Sequence, residues 1–186
     1  EAAKLANEVA SQVTRLLGDL DSEPPLVVDS DLRPEGRRGS LARSIDSYAE
    51  YLRRWAHIWE LQALLRARPC AGDIATGKRF IEMIDAFRYP EGGLDQEHIR
   101  QVRTMKARVE TERIPSGVSA NRHVKLGRGG LADVEWTAQL LQLRHAWNHP
   151  ELRTVSTLEA LRGAAKAGLI SADEERRLTR SWELAS

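Results

Sequence analysis

One cysteine, Cys70, stands in 186 residues, so no disulfide can close within the chain, and such usage suits a reducing compartment. The longest apolar run, around Leu26-Val27-Val28, covers only a few positions, against the ~20 that a membrane-spanning helix needs. A charged-then-apolar secretory leader is also missing. These absences place the protein in the cytoplasm and away from membranes. Net charge is nearly absent as well: 28 Lys and Arg face 27 Asp and Glu, which removes any whole-molecule attraction to nucleic acid. A polyanion would need a local patch. No repeat, heptad run or low-complexity tract interrupts the chain.

What is present is enough for a core. With 41% hydrophobic and 30% charged residues the chain is a globular one, of one or two domains, and a disordered tail is excluded. It opens at Glu1 already in helical pattern, which points to an internal piece of a longer polypeptide. Leu5, Val9, Val13, Leu16, Leu17 and Leu20 recur at three and four residues and predict an amphipathic helix over 3–20. Asp21-Ser22-Glu23-Pro24-Pro25 breaks it. The β-branched and alternating segment Leu26–Leu32 then predicts a short strand, ended by Pro34, Gly36 and Gly39.

From Ser44, an N-cap, the positions Ile45, Tyr48, Leu52, Trp55 and Trp59 predict a further helix, with Tyr51, Trp55 and Trp59 as a core stripe. The segment from Glu60 to Cys70 fits a helix and a strand equally. Beyond Asp73 helical periodicity predicts helices over 74–88, 95–113, 131–147, 157–167 and 172–185, with Gly168 as a C-cap. Ile114-Pro115-Ser116-Gly117 marks a break, giving a mixed α+β part over 1–114 and a helical bundle over 115–186.

Several residues carry potential chemistry. Asp29 and Asp31, two apart on a strand, project from one face and suit a divalent ion such as Mg²⁺, or simply form a polar strand end. Arg33, Arg37 and Arg38 follow, as phosphate partners or as a solvated turn. Lys125-Leu126-Gly127-Arg128-Gly129-Gly130 leads into a helix, where backbone N–H groups and the helix dipole favour an anion. It lacks the ending of a Walker loop and the strand of a dinucleotide fold, and Asp133 there also reads as a helix-start residue. Asp133 and Glu135 fall on different helix faces and do not share a metal. Between Arg100 and Arg128 eight Lys or Arg outnumber two Glu, the best local patch for an anion or nucleotide. His145 and His149 lie at helical spacing without an intervening HExxH glutamate, so they read as helix-end residues.

Three segments, Val27-Val28-Asp29-Ser30-Asp31-Leu32-Arg33-Pro34, Trp59-Glu60-Leu61-Gln62-Ala63-Leu64-Leu65-Arg66-Ala67-Arg68 and Lys125–Trp136, together resemble the glutamine synthetase adenylyltransferase family. The resemblance runs over nearly the whole chain and in the family's order. It implies a mainly α protein of α+β class, the C-terminal remainder of a nucleotidyltransferase-like domain followed by a helical bundle. It implies transfer of AMP from ATP to a tyrosine of glutamine synthetase, with a second half removing it, and a PII signal protein as partner. Tyr89-Pro90-Glu91-Gly92-Gly93 and the segment Lys106–Glu110 look more like the adenylylating, C-terminal half.

By resemblance Asp29 matches a third catalytic carboxylate and metal ligand, with Asp31 beside it at a less constrained position, and Arg33, Lys125 and Arg128 match contacts to the nucleotide. The family's Gly-Ser followed by Asp-x-Asp does not precede Asp29, so the chain alone is expected to be inactive. A PII uridylyltransferase-type enzyme and a non-catalytic helical interaction module are the alternatives.

Overall fold

Serine and aspartate set most of the helix starts. In each case an extended residue turns its side-chain oxygen onto the amide three positions on, satisfying one of the orphan donors of the first turn. In the computed structural model, which describes residues 1–18, 26–114, 117, 119 and 123–186, Ser44 caps α2 (Ile45–Arg54) and Asp73 caps α4 (Ile74–Arg88). Asp95 caps α5 (Gln96–Glu112), Ser156 caps α7 (Thr157–Lys166) and Ser171 caps α8 (Ala172–Ala185). At Ser171 the cap is reciprocal, because Glu174 returns its carboxylate to the Ser171 N–H at 2.7 Å. The remaining helices among the described residues are α1 (Ala2–Leu17), α3 (Ile58–Leu64) and α6 (Leu131–His145).

The chain divides into two compact units, 1–56 and 57–186. In the first, Asn7 of α1 ties the helix to the segment after the basic turn. Its Oδ1 accepts from Ser40 Oγ at 2.9 Å, Leu41 N at 2.8 Å and Ala42 N at 3.2 Å. The apolar positions Leu5, Val9, Val13, Leu16 and Leu17 of α1 stay exposed.

In the second unit α6 is the central element, packed by α5, α7, α8 and a 3₁₀ turn at Pro150–Leu152. Apolar residues surround α6 instead of lining one side, as a helix buried on several faces requires. Leu65, Leu143 and Leu152 share one cluster with Tyr89 and Val102, while Val134, Ala138, Ala160 and Leu161 form another with Leu178 and Trp182. Two glycines permit close crossings. Gly93 carries φ +69° and a Cβ there would lie 2.0 Å from the Arg144 carbonyl oxygen; at Gly163 it would lie 2.6 Å from that of Glu151.

Three expectations are corrected. No β-strand occurs among the described residues, and Leu26–Leu32 runs as an irregular segment and turn. A strand is stabilised by a neighbour's ladder of hydrogen bonds, and no other described segment supplies one. Val27 is accordingly 89% exposed. The helix expected from Ser44 through Trp59 is two helices, because His57 is extended and receives the Glu60 carboxylate on its N–H at 2.7 Å. Trp55, at the break, is 69% exposed and does not join a core stripe. The ambiguous segment after Glu60 is helical to Leu64 and then turns. Leu20, the Asp21–Pro25 breaker and Pro115-Ser116 lie outside the described residues.

Candidate active site

Asp29 and Asp31 stand at the start of a closed loop in the first unit. Asp29 Oδ1 accepts from the Asp31 N–H at 2.9 Å, a turn made by the side chain itself, and Asp31 Oδ2 pairs with Arg37 Nε at 2.9 Å. Both aspartates are exposed. Arg33 is half-buried and points into the loop: Nε donates to the Gly39 carbonyl at 2.8 Å, Nη1 to the Ser30 carbonyl at 2.7 Å and Nη2 to the Arg37 carbonyl at 2.9 Å. Glu35 adopts φ +65°, rare for a residue with a side chain, and its carboxylate pairs with Arg43 at 2.9 Å. Arg43 in turn lies over the Tyr51 ring at 5.7 Å.

In the second unit the Lys125–Gly130 segment folds onto itself. Leu131 N donates to the Val124 carbonyl at 3.0 Å, Ala132 N to that of Lys125 at 2.9 Å and Asp133 N to that of Gly130 at 3.0 Å. The first three amides of α6 are therefore consumed by their own turn, and the expected backbone cradle for an anion is closed. A Cβ at Gly130 would lie 2.4 Å from the Val124 carbonyl oxygen, so only glycine lets this turn close. Lys125 and Arg128 are left exposed on its outside.

Asp133 does act as a helix-start residue, accepting from Gly129 N at 2.7 Å and from Lys106 of α5. Lys106 also reaches Glu110. Burial alone would push the Asp133 carboxyl up, but the bonds from Lys106 and Gly129 and the lysine's charge outweigh it and hold the group below its ordinary range. Burial likewise favours proton loss from Lys106, and its bonds and charges with Asp133 and Glu110 win and raise it.

The Glu135 carboxylate leaves α6 on another side and meets Arg66 Nη2 at 2.8 Å, so these two acids hold no common ion. Arg66 also bonds the Thr157 hydroxyl at 2.6 Å and the Val155 carbonyl, and Gln62 donates to Gln139 at 2.6 Å. The Trp59–Arg68 motif is thus the polar seam joining α3, α6 and α7. Sequence reasoning missed Asn7, which sits in no motif, and the pairing of Lys106 with Asp133, since those partners are remote along the chain.

The basic stretch is partly neutralised by its own helix: Arg100 pairs with Glu97 at 2.6 Å and Arg108 with Glu112 at 2.9 Å. His149 faces Glu151 at 3.5 Å. Among the described residues no group of three His, Cys, Asp or Glu could hold a metal ion. Nor is any helix among them long and apolar enough to cross a membrane.

Comparison with known proteins covers both units. The family model described as glutamate-ammonia ligase adenylyltransferase matches residues 1–83, and that described as GlnD PII-uridylyltransferase matches residues 96–185. The chain is 52% identical over 186 residues, its whole length, to the bifunctional glutamine synthetase adenylyltransferase/adenylyl-removing enzyme of Streptomyces avermitilis, covering 19% of that protein. It is 53% identical over 185 residues to the enzyme of the same name from Mycobacterium avium, covering 18% of it. The chain therefore spans about a fifth of the length of the curated relatives it matches. On identity of this order along the whole sequence, the chain belongs to the family of bifunctional glutamine synthetase adenylyltransferase/adenylyl-removing enzymes.

Proposed function

We propose that the chain works as part of a cytoplasmic nucleotidyltransferase that moves AMP from ATP onto a tyrosine of glutamine synthetase. A companion half removes the AMP, and a PII signal protein governs the balance. The observation that carries the reading is the whole-length identity to enzymes of that name, coinciding with a loop that holds Asp29 in a fixed orientation. In the reaction the tyrosine oxygen bonds to the α-phosphorus, the bond to the β-phosphate bridging oxygen breaks, and pyrophosphate leaves.

Asp29 keeps one carboxylate oxygen outside its turn, and the pair on Asp31 involves an Arg37 side chain that is 84% exposed, a weak competitor. Two hard oxygen donors at this spacing suit Mg²⁺, which takes one or two carboxylates and completes its shell with water and phosphate oxygens. Such an ion would neutralise charge on the triphosphate. Any nucleotide contact made by Lys125 or Arg128 would come through their side chains, since the amides of their own turn are spent.

The Leu26–Leu32 segment would become a strand by pairing with a sheet elsewhere in a polypeptide of the relatives' length. The Tyr89–Gly93 link and the Lys106–Glu110 segment support the adenylylating half. The match of 96–185 to the uridylyltransferase model favours a second reading, in which the helical unit is a regulatory module common to both enzyme types.

The test is AMP transfer by a polypeptide of the relatives' length that carries this chain. Asp29→Asn should abolish transfer while the protein stays folded, and Asp31→Asn should be milder. A folded Asp29→Asn protein with normal transfer overturns the assignment. The 186-residue chain by itself should transfer no AMP, because Asp29 supplies one of the three acidic ligands that the family's fold expects and no Gly-Ser followed by Asp-x-Asp precedes it in this sequence.

A further inference from the structure

The guanidinium of Arg33 offers five N–H donors, and its own loop occupies four. Besides the carbonyls of Gly39, Ser30 and Arg37, Nη1 bonds the Ser30 hydroxyl at 3.0 Å. The edge formed by Nε and Nη2, which would clamp a phosphate with two parallel bonds, faces two backbone carbonyls instead. Turning that edge to a ligand would strip three carbonyls of their partner in a half-buried loop, at a cost that a single phosphate contact does not recover.

We propose that Arg33 is a positioning residue that shapes the loop presenting Asp29, and not a phosphate contact. The proposal rests on the reading of Asp29 given above. Independent features show a loop built for one shape. Pro34 and Gly39 are buried, and a Cβ at Gly39 would lie 1.9 Å from the Pro34 carbonyl oxygen. Arg37, whose carbonyl Arg33 holds, in turn holds Asp31 with its side chain. Ser30, held at both its carbonyl and its hydroxyl, separates the two aspartates. A lysine carries its donors on one nitrogen and cannot span carbonyls on opposite sides of the loop, whereas it can still contact a phosphate as a point charge.

The decisive measurement follows the Arg33 Nε–H by NMR in the 186-residue chain, titrated with inorganic tripolyphosphate. We expect exchange with water about tenfold slower than in free arginine, as for an internally bonded donor, and no movement of the signal with millimolar tripolyphosphate. Arg33→Lys and Arg33→Ala should lose the loop's resistance to trypsin after Arg37 and Arg38 to the same extent. A saturable shift of the Arg33 signal with tripolyphosphate, or an Arg33→Lys chain as resistant as the parent, overturns the proposal. Failure of the Asp29 reading looks different: it appears as normal AMP transfer by the Asp29→Asn enzyme, with the Arg33 signal unchanged.

Discussion

Arg66 Nη2 and Glu135 Oε1 lie 2.8 Å apart although 69 residues separate them along the chain. The contact joins two of the three sequence segments that identify the family, and it gives both a structural reason to exist. Arg66 serves three acceptors at once: Glu135 on α6, Thr157 at the start of α7 and the carbonyl of Val155 in the loop before it.

Removing that fork should be felt in stability. Arg66→Ala should cost about 1–2 kcal/mol, a figure held down by the side chain's partial exposure. Arg66→Lys should recover less than half. In a double-mutant cycle with Glu135→Gln, urea unfolding should give a coupling of about 1 kcal/mol; additive losses would show the pair to be incidental.

Lys106 and Asp133 make stability depend on pH at both ends. Asp133 is held below its ordinary range in the fold, so its contribution is complete above an unfolded value of about 4 and drains away as pH falls through the lower folded value. Lys106 is raised, so its contribution is complete below about 10.4 and is lost as pH climbs through the higher folded value. Lys106→Met should lower stability near neutrality by about 1 kcal/mol and flatten the acid limb, read from urea midpoints between about pH 3 and 7.

Gly163 lies inside α7, where helix propensity alone says that alanine should stabilise by about 1 kcal/mol. The tertiary structure predicts the opposite sign. A Cβ would stand 2.6 Å from the Glu151 carbonyl oxygen, which is backbone and cannot swing aside. Gly163→Ala should therefore destabilise by a net of about 1–2 kcal/mol, visible as a lower urea midpoint with an unchanged slope.

Arg128→Ala should leave the melting temperature nearly unchanged, because the residue is exposed on a turn closed by backbone bonds and glycines. In a polypeptide of the relatives' length it should raise the ATP concentration needed for half-maximal AMP transfer. A collapse in melting temperature with normal kinetics per folded molecule would assign Arg128 to the fold.

Helices α4 through α8 were legible because their signals are local. Asp73, Asp95, Ser156 and Ser171 cap within three residues, and apolar periodicity extends across the four helices they start. The irregular course of Leu26–Leu32 was not legible, since β-branched residues record a preference for a pleated surface but carry no record of whether a neighbouring strand is there to pair. The break at His57 was signalled only by Glu60, whose return bond is too common a residue pattern to outweigh a continuous apolar spacing.

The sequence by itself determined the family, the helices and the short list of chemically able residues, because these depend on residue identity and on spacing within a turn or two. Only the tertiary structure decided what those residues are free to do. Arg33 reads from its motif as a phosphate contact, and only the fold shows four of its donors engaged by Ser30, Arg37 and Gly39. The glycines before α6 read as an anion cradle until the amides are found on Val124, Lys125 and Gly130. A hydrogen-bonding group acts on a ligand with the valences its own fold leaves over, and that remainder is set by partners that linear spacing does not reveal.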